Sequence, residues 1–255
     1  MPKISVVLAV LNEEKNLSTC LDSVKDFADE IVIVDGSSTD KTVEIAKKYG
    51  ARIEITANLQ NFHINKQKAI DMANGEWVLQ LDADERVTPS LCDEIKNQIS
   101  KIKDNEVNGY WIPRKNWFLG RFLMKGGQYP DYQLRFYKKG KGRLPQKDVH
   151  EQTIVQGQVG YLKNPLVHFA DPNFSRYLLR FNRYTDFMAN ELKNKKIGLN
   201  PLIPIRYLLI SPVWWFLLTY IRHKGFVDSW QGFVFSFFSA LRFPVSYVKY
   251  IKLLF

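Results

Sequence analysis

The segment from Trp77 to Glu85 constrains the fold of this chain more than any other part of the sequence. Its first five residues are mostly apolar and come shortly after Gly75, which is the pattern of a buried strand. Two carboxylates, Asp82 and Asp84, follow where the strand ends, and open α/β sheets bind ligands beyond such ends. Their spacing alone is better explained by a solvated acidic turn. The apolar strand before them instead favours a divalent cation, which prefers oxygen ligands.

Apolar runs of strand length alternate with helical patterns over the first hundred residues. Strands are predicted at 4–11, 31–34, 52–55 and 77–81, and helical spacing of apolar residues follows each of them. Thr88 and Pro89 are predicted to be the N-cap and first residue of the last of these helices. Such alternation predicts βαβ units, a largely parallel sheet and an α/β fold.

Polar residues follow three strands of this predicted sheet. Asn12-Glu13, the run from Asp35 to Asp40, and Asp82-Ala83-Asp84 would meet at one sheet edge and form a nucleotide pocket. Asp35 could accept a hydrogen bond from a base N–H, whereas Ser38 and Thr39 are better explained as caps of the next helix. The glycine patterns of dinucleotide and P-loop sites do not follow these strands, which argues against both classes.

Charge is distributed unevenly along the chain. Residues 1–113 hold 13 basic and 19 acidic residues, 114–147 hold 10 and 1, and 172–255 hold 12 and 3. The second half is therefore expected to meet an anionic surface or substrate. Because its basic stretches lie near long apolar segments, they favour a membrane surface over nucleic acid. Cys20 and Cys92 lie in helical apolar patterns and are predicted to be buried thiols.

Two apolar blocks near the C-terminus predict contact with a membrane. Residues 207–221 form a block of fifteen and residues 229–241 a block of thirteen, both flanked by aromatic and basic residues. A spanning helix needs about 20 apolar residues, so both blocks are predicted to lie in the interface. A helical cap on the α/β core is the alternative. Before them Arg176, Arg180 and Arg183 share one helical face and either meet phosphates or form a solvated row.

The segments Ile4–Glu13, Val34–Asp40 and Leu81–Asp84 together resemble the three markers of family 2 glycosyltransferases with the GT-A fold. Their order and spacing match over residues 1–90. The resemblance implies that the first two segments hold the uracil of a UDP-sugar, that Asp82 faces the nucleoside, and that Asp84 binds Mg²⁺ or Mn²⁺. Lys66 or Lys68 could meet the diphosphate, and for each a solvated helical lysine is an equal alternative. The candidate nucleotide-sugar contacts are Leu11, Asn12, Glu13, Asp35, Ser37, Lys66, Lys68, Asp82 and Ala83.

Residues 105–170 resemble the acceptor half of membrane-associated bacterial members of that family. The likeness is carried by 129–136 and 149–151, and it is nearest to lipopolysaccharide inner-core enzymes that add a β-linked glucose. It implies that Glu151 is the base and that His168 is a metal or diphosphate ligand, although a core histidine is the alternative for His168. Asp131, among basic residues, is suited to orienting an acceptor hydroxyl. Arg135 is a candidate acceptor contact.

Together these features predict a GT-A domain at 1–170 and a helical, membrane-associating segment at 171–255. The expected reaction is inverting transfer of a sugar, glucose by resemblance, from a UDP-sugar to a hydroxyl of a lipid-linked saccharide such as lipopolysaccharide core. The expected location is the cytoplasmic face of the inner membrane, peripheral or monotopic. Another envelope glycan or a polyprenyl-phosphate carrier is an alternative acceptor. A haloacid-dehalogenase-type phosphatase with Asp82 as nucleophile is an alternative enzyme, and a basic binding protein would leave the strand-end carboxylates unexplained.

Overall fold

The computed structural model describes residues 2–57, 62–101, 107–145, 152–195, 197 and 202–254. The chain divides into two compact units. Unit 1 comprises Met1–Arg114 and Asp131–His168, and unit 2 comprises Lys115–Pro130 and Phe169–Phe255. Unit 2 therefore takes in a short internal segment as well as the C-terminal part of the chain.

The strands begin and end close to the apolar runs of the sequence. They are β1 (Ile4–Val10), β2 (Glu30–Asp35), β3 (Arg52–Ile55), β4 (Trp77–Leu81), β5 (Glu85–Val87), β6 (Gly109–Phe118), β7 (Arg121–Phe122), β8 (Asp131–Lys138), β9 (Gly142–Arg143), β10 (Ile154–Val155), β11 (Val159–Tyr161) and β12 (Leu166–Asp171). The helices are α1 (Leu17–Asp22), α2 (Thr42–Lys48), α3 (His63–Met72), α4 (Pro89–Lys101), α5 (Phe174–Asn194), α6 (Leu202–Arg222) and α7 (Ser229–Lys252).

The sheet of unit 1 has the strand order β3-β2-β1-β4-β8-β6. The first four strands are mutually parallel, as predicted, whereas β8 pairs antiparallel with both β4 and β6. The carboxyl ends of β1, β2 and β4 consequently lie at one edge of the sheet, which is where ligands bind in such folds. Separately, β5 pairs antiparallel with β12 and places Glu85 opposite His168.

Apolar side chains cover both faces of this sheet. Because successive strand residues point to opposite faces, Val6 and Leu8 pack with α1 and α4, whereas Val7 packs with Ala69 and Ile70 of α3. A sheet buried on both sides explains why its central strands read as continuous apolar runs. Both cysteines, Cys20 and Cys92, are free thiols, and Cys20 is fully buried.

The predicted start of α4 is confirmed. Pro89 is the first helical residue, where its missing N–H costs no hydrogen bond, and the Thr88 hydroxyl accepts from the backbone N–H of Leu91 at 3.2 Å. This cap fixes the direction in which the chain leaves β5.

Unit 2 is organised around α5 and α7. Ala189 and Leu192 of α5 pack against Tyr247 and Tyr250 of α7. Gly232 permits close approach within this unit, because a Cβ there would lie 1.9 Å from the carbonyl oxygen of Gly225. Among the polar groups of unit 2, the buried Asp228 carboxylate accepts from the backbone N–H groups of Met124 and Lys125 at 2.9 and 2.7 Å, which holds that loop.

Helix α6 is longer than the apolar block from which its length was predicted. Helical structure begins at Leu202, so α6 has 21 residues and reaches the length of a membrane-spanning helix. The expectation that both blocks are too short to span is therefore wrong for this one. Only 6% of its most apolar window is buried, and Leu209, Ile210 and Trp214 are each more than half exposed. Length and composition make α6 a candidate membrane-associating helix.

Candidate active site

The ends of β1 and β2 are joined by a web of side-chain hydrogen bonds. Asp35 is buried at the end of β2 and accepts from the backbone N–H and the hydroxyl of Ser38, at 2.8 and 2.6 Å. Ser38 in turn accepts from the backbone N–H of Asn12 at 2.8 Å. The Asn12 side-chain oxygen accepts from the backbone N–H of Thr39 at 2.8 Å. The two segments that were predicted to hold the uracil base, at the ends of β1 and β2, therefore lie together at the expected edge of the sheet.

The prediction that Ser38 and Thr39 cap the next helix is wrong. In the first turn of α2, the backbone N–H of Thr42 donates to the carboxylate of Asp40 at 3.0 Å. Ser38 is directed back to Asp35 instead, because the chain folds over the end of β2 before the helix begins. The hydroxyl of Ser37, whose φ is +66°, donates to the carbonyl of Thr56 at 2.8 Å.

Asp82 lies between two buried cations at the end of β4. Its Oδ1 is 2.5 Å from Nζ of Lys66, and its Oδ2 accepts from a guanidinium nitrogen of Arg135 at 2.8 Å. Burial alone would raise the pKa of Asp82, but the charges of Arg135 and Lys66 outweigh it and hold that pKa well below its usual range. Burial lowers the pKa of Lys66, with Asp82 acting against it. In this structure Lys66 therefore pairs with a carboxylate of the candidate site.

Glu85 is the centre of a second group of charges, which sequence reasoning missed. Its side chain is fully buried, and it accepts from the backbone N–H of Asp82 at 2.9 Å and from Arg114 at 3.1 Å. Arg114 also donates twice to one oxygen of Asp131, at 2.9 and 2.8 Å. Burial opposes the charge of Arg114, but Glu85 and Asp131 raise its pKa. An acidic residue directly after the Asp-x-Asp segment was the available signal for Glu85.

A continuous chain of charges consequently runs through unit 1. Arg135, which donates to Asp82, also lies 3.7 Å from Glu85. Burial acts to lower the pKa of Arg135, but Asp82 and Glu85 together raise it above its ordinary value. The sequence Asp82, Arg135, Glu85, Arg114 and Asp131 therefore alternates in sign and connects the end of β4 to the start of β8.

Asp84 and His168 are brought together although 84 positions separate them in the chain. Pairing of β5 with β12 places Nε2 of His168 at 3.5 Å from Oδ2 of Asp84. Both side chains are mostly buried, at 14% and 17% exposed. Among the residues that the structure describes, no group of three acidic, histidine or cysteine side chains is placed to hold a metal ion. The pair offers one oxygen and one nitrogen ligand, and hard cations commonly complete such a site with substrate phosphates.

The remaining candidates differ in what surrounds them. Lys68 forms an ion pair with Glu54 at 2.5 Å, and both side chains are exposed at the surface. Ala83 is buried, Leu11 is partly exposed, and the backbone N–H of Glu13 donates to the Thr42 hydroxyl at 2.7 Å. Glu151, the candidate base, lies outside the described residues.

The three arginines of the predicted row lie on α5 in unit 2. Arg180 forms an ion pair with the buried Asp171, and Arg183 is exposed with its guanidinium 5.9 Å from the ring of Phe187. The backbone N–H of Arg176 is capped by Asn173 at 2.9 Å.

The sequence and fold are similar to known glycosyltransferases. A model of glycosyl transferase family 2 matches residues 5–167. The lipopolysaccharide core biosynthesis glycosyltransferase LpsC of Rhizobium meliloti is 29% identical, covering 95% of this chain and 93% of the relative. An uncharacterized glycosyltransferase of Rickettsia typhi is 28% identical, covering 92% and 82%. The crystal structure of S. aureus TarS superposes with a TM-score of 0.51 at 16% identity, covering 92% of this chain and 55% of that one.

Proposed function

The chain belongs to glycosyltransferase family 2, and from this we propose that it transfers a sugar from a UDP-sugar to a hydroxyl of a lipid-linked saccharide, with inversion at the anomeric carbon. Family membership and the GT-A fold exclude the phosphatase alternative, because they give Asp82 no role as a nucleophile. The observation that carries the proposal is the meeting of Asp84 with His168 beside Asp82 at the end of β4.

The donor nucleoside is assigned to the web at the ends of β1 and β2. Asp35 is held by Ser38 in a fixed orientation, so that its carboxylate can accept from the N–H of a uracil ring. The neighbouring Asn12 and Ser37 both have positive φ, at +54° and +66°, which turns the backbone sharply beside that carboxylate. Because the Asp35 carboxylate is already fixed in this way, it loses little conformational entropy when the nucleotide binds.

Asp84 and His168 fit a divalent metal ion. Their facing O and N atoms are 3.5 Å apart, so both can reach one ion between them, and two donors leave positions for diphosphate oxygens. Mg²⁺ or Mn²⁺ bound there would neutralise charge on the departing UDP. Lys66 is the second positive group on this side. Its ammonium can turn from Asp82 to the diphosphate, because a flexible four-carbon stem carries it.

The acceptor side is assigned to the far end of the charge chain. Asp131 is fixed by two hydrogen bonds from Arg114 and one from Gln133, which suits it to accepting a hydrogen bond in a fixed direction. We therefore assign it to orienting the attacking hydroxyl. We assign Glu151 to accept the proton of that hydroxyl, as its place in the family pattern implies.

A lipid-linked acceptor is supported by unit 2 and by the relative LpsC. The exposed apolar side chains of α6 and the excess of basic residues over 172–255 suit the surface of an anionic membrane. LpsC is a glycosyltransferase of lipopolysaccharide core biosynthesis, so the proposed acceptor is a lipopolysaccharide core saccharide at the cytoplasmic face of the inner membrane.

Calorimetry of UDP and GDP with Mn²⁺ tests the donor assignment. UDP should bind more tightly than GDP, EDTA should weaken UDP binding, and Asp84→Asn should remove the effect of EDTA. The matched control is Asp93→Asn, which removes the same charge from an exposed position on α4. Tighter binding of GDP than of UDP would overturn the assignment of the donor nucleotide. UDP binding to the unaltered protein that is unaffected by EDTA would overturn it as well.

A further inference from the structure

A pocket within unit 2 combines aromatic rings with two guanidinium groups. It lies between α5 and α7 and has an open volume of about 250 Å³. Tyr177, Arg180 and Tyr184 line it from α5, and Phe238 and Arg242 line it from α7. None of the roles assigned above to the glycosyl transfer site uses Arg242.

The positive charge of Arg242 has no carboxylate to balance it in the described part of the chain. Its guanidinium lies 4.3 Å from the ring of Trp215 and 5.0 Å from that of Phe243. Its Nε is buried and makes no hydrogen bond to any described group. Burial lowers the pKa of Arg242, and the groups that act against this are the hydroxyls of Tyr184 and Tyr177. A charge held in this way is costly unless an anion compensates it.

Arg180 brings a second guanidinium to the same pocket. It pairs with Asp171 and still exposes about half of its side chain, at 51%. Arg180 and Arg242 both line this pocket, and both act electrostatically on the hydroxyl of Tyr177, whose pKa burial raises. Guanidinium groups offer donors in a planar fork that matches phosphate oxygens. The remaining wall consists largely of aromatic rings, which suit hydrocarbon.

We propose that this pocket binds the phosphate group of an amphiphilic lipid between Arg180 and Arg242, with the adjoining hydrocarbon against the aromatic wall. Trp215, over which Arg242 stacks, belongs to α6, so the pocket adjoins the candidate membrane-associating helix. The proposal extends the proposed function to the lipid that the enzyme meets. It concerns binding alone, so it can fail while sugar transfer stands, and the converse also holds.

The test measures dissociation constants of the full chain for three probes by calorimetry. They are dihexanoyl phosphatidic acid, dihexanoyl phosphatidylcholine and inorganic phosphate, and no sugar donor is present. Phosphatidic acid should bind most tightly, because it alone offers both an unblocked phosphate and hydrocarbon. Equal binding of inorganic phosphate would overturn the lipid part of the proposal. Equal binding of phosphatidylcholine would overturn the role of the guanidinium groups.

Arg242→Met keeps a long side chain against Trp215 and removes the charge. It should weaken phosphatidic acid binding about tenfold to a hundredfold, the usual worth of charge-assisted hydrogen bonds. Lys252→Met removes the same charge from an exposed position on α7 and should leave the affinity unchanged. Without lipid, Arg242→Met should melt no lower than the unaltered protein, because it relieves an uncompensated buried charge.

Ser239→Phe provides a second variant that changes no charge. Ser239 lines the pocket, so a phenyl ring there should fill it and abolish phosphatidic acid binding. If both Arg242→Met and Ser239→Phe bind phosphatidic acid as the unaltered protein does, the ligand lies elsewhere and the proposal is refuted.

Discussion

Replacing Asp82 with asparagine leaves two buried cations without the carboxylate that they share. Lys66 loses an ion pair of 2.5 Å, and Arg135 loses one of 2.8 Å but keeps Glu85 at 3.7 Å. The new side chain has one oxygen and one NH₂ group, so one of the two cations must face a donor. Lys66, only 8% exposed at its side chain, is the more affected.

Removal of one partner from a buried ion pair typically costs about 3–5 kcal/mol. Two features place Asp82 at the lower end: its side chain is 27% exposed, and Arg135 retains a second carboxylate. We therefore expect Asp82→Asn to lower the free energy of unfolding by about 3 kcal/mol at pH 7. For a chain of this size the melting temperature should fall by roughly 6–12 °C.

The effect of this substitution should depend on pH in a definite direction. The pKa of Asp82 is held well below its usual range in the folded state, so its stabilisation is present above the unfolded value of about 3.9. That stabilisation is lost as the pH falls through the lower pKa that Asp82 has in the folded state. The stability of the Asp82→Asn variant should therefore fall less in acid than that of the unaltered protein. Burial lowers the pKa of Lys66, so raising the pH into the alkaline range removes the uncompensated charge of Lys66 in the variant. The difference in stability between the variant and the unaltered protein should therefore narrow.

Thermal denaturation of the full chain, followed by fluorescence over a range of pH, measures both effects. Asp84→Asn is the matched control, because it removes the same charge two residues further on, beside His168. It should cost far less stability than Asp82→Asn. Equal losses from the two variants, or an unchanged melting temperature for Asp82→Asn, would refute the view that Asp82 holds Lys66 and Arg135 in place.

Three further experiments test other parts of the molecule. Glu151→Gln should lower kcat by about 10²–10⁴-fold and leave the affinity for UDP nearly unchanged. Asp131→Asn should mainly raise the KM for the acceptor. If steady-state kinetics give the opposite result, Asp131 is the base and Glu151 orients the acceptor hydroxyl. Leu209 is 61% exposed on α6, and Leu209→Asp should weaken flotation of the protein with anionic vesicles about tenfold or more. The control Leu179→Asp, on α5, should not weaken it. Equal effects of the two variants would contradict contact between α6 and the membrane. Gly232→Ala should destabilise the protein by about 1–3 kcal/mol in thermal denaturation, because its Cβ would collide with the Gly225 carbonyl; an unchanged melting temperature would contradict that packing.

The parallel half of the sheet could be predicted because local sequence patterns determine it. Apolar runs bounded by turn residues located β1 to β4, and the sequence Thr88-Pro89 located the start of α4. Once those strands are parallel, their carboxyl ends must share an edge, so the proximity of Asn12, Asp35 and Asp82 to that edge follows from topology.

Other features depend on pairings that local patterns do not encode. Arg114 meets Glu85 from 29 positions away, because β5 and β6 are placed by tertiary packing and not by any spacing in the chain. Ser38 resembles a helix cap in sequence, yet a buried carboxylate three residues earlier competes for its hydroxyl and prevails. The length of α6 was underestimated because the apolar block was taken to begin at Tyr207, whereas the helix already begins at Leu202 and includes Pro204 and Arg206.

The alternating charges from Asp82 to Asp131 have a consequence for how the two substrates bind. Each arginine in that series lies within ion-pair distance of two carboxylates, so a weaker attraction to one carboxylate leaves a stronger attraction to the other. A nucleotide that engages Asp82 would shift Arg135 towards Glu85, loosen Arg114, and thereby change how Asp131 receives an acceptor. Such coupling is reciprocal, since each substrate must alter the affinity for the other by the same factor. We therefore expect the donor and the acceptor to bind cooperatively, with the coupling carried by the charges at the strand ends.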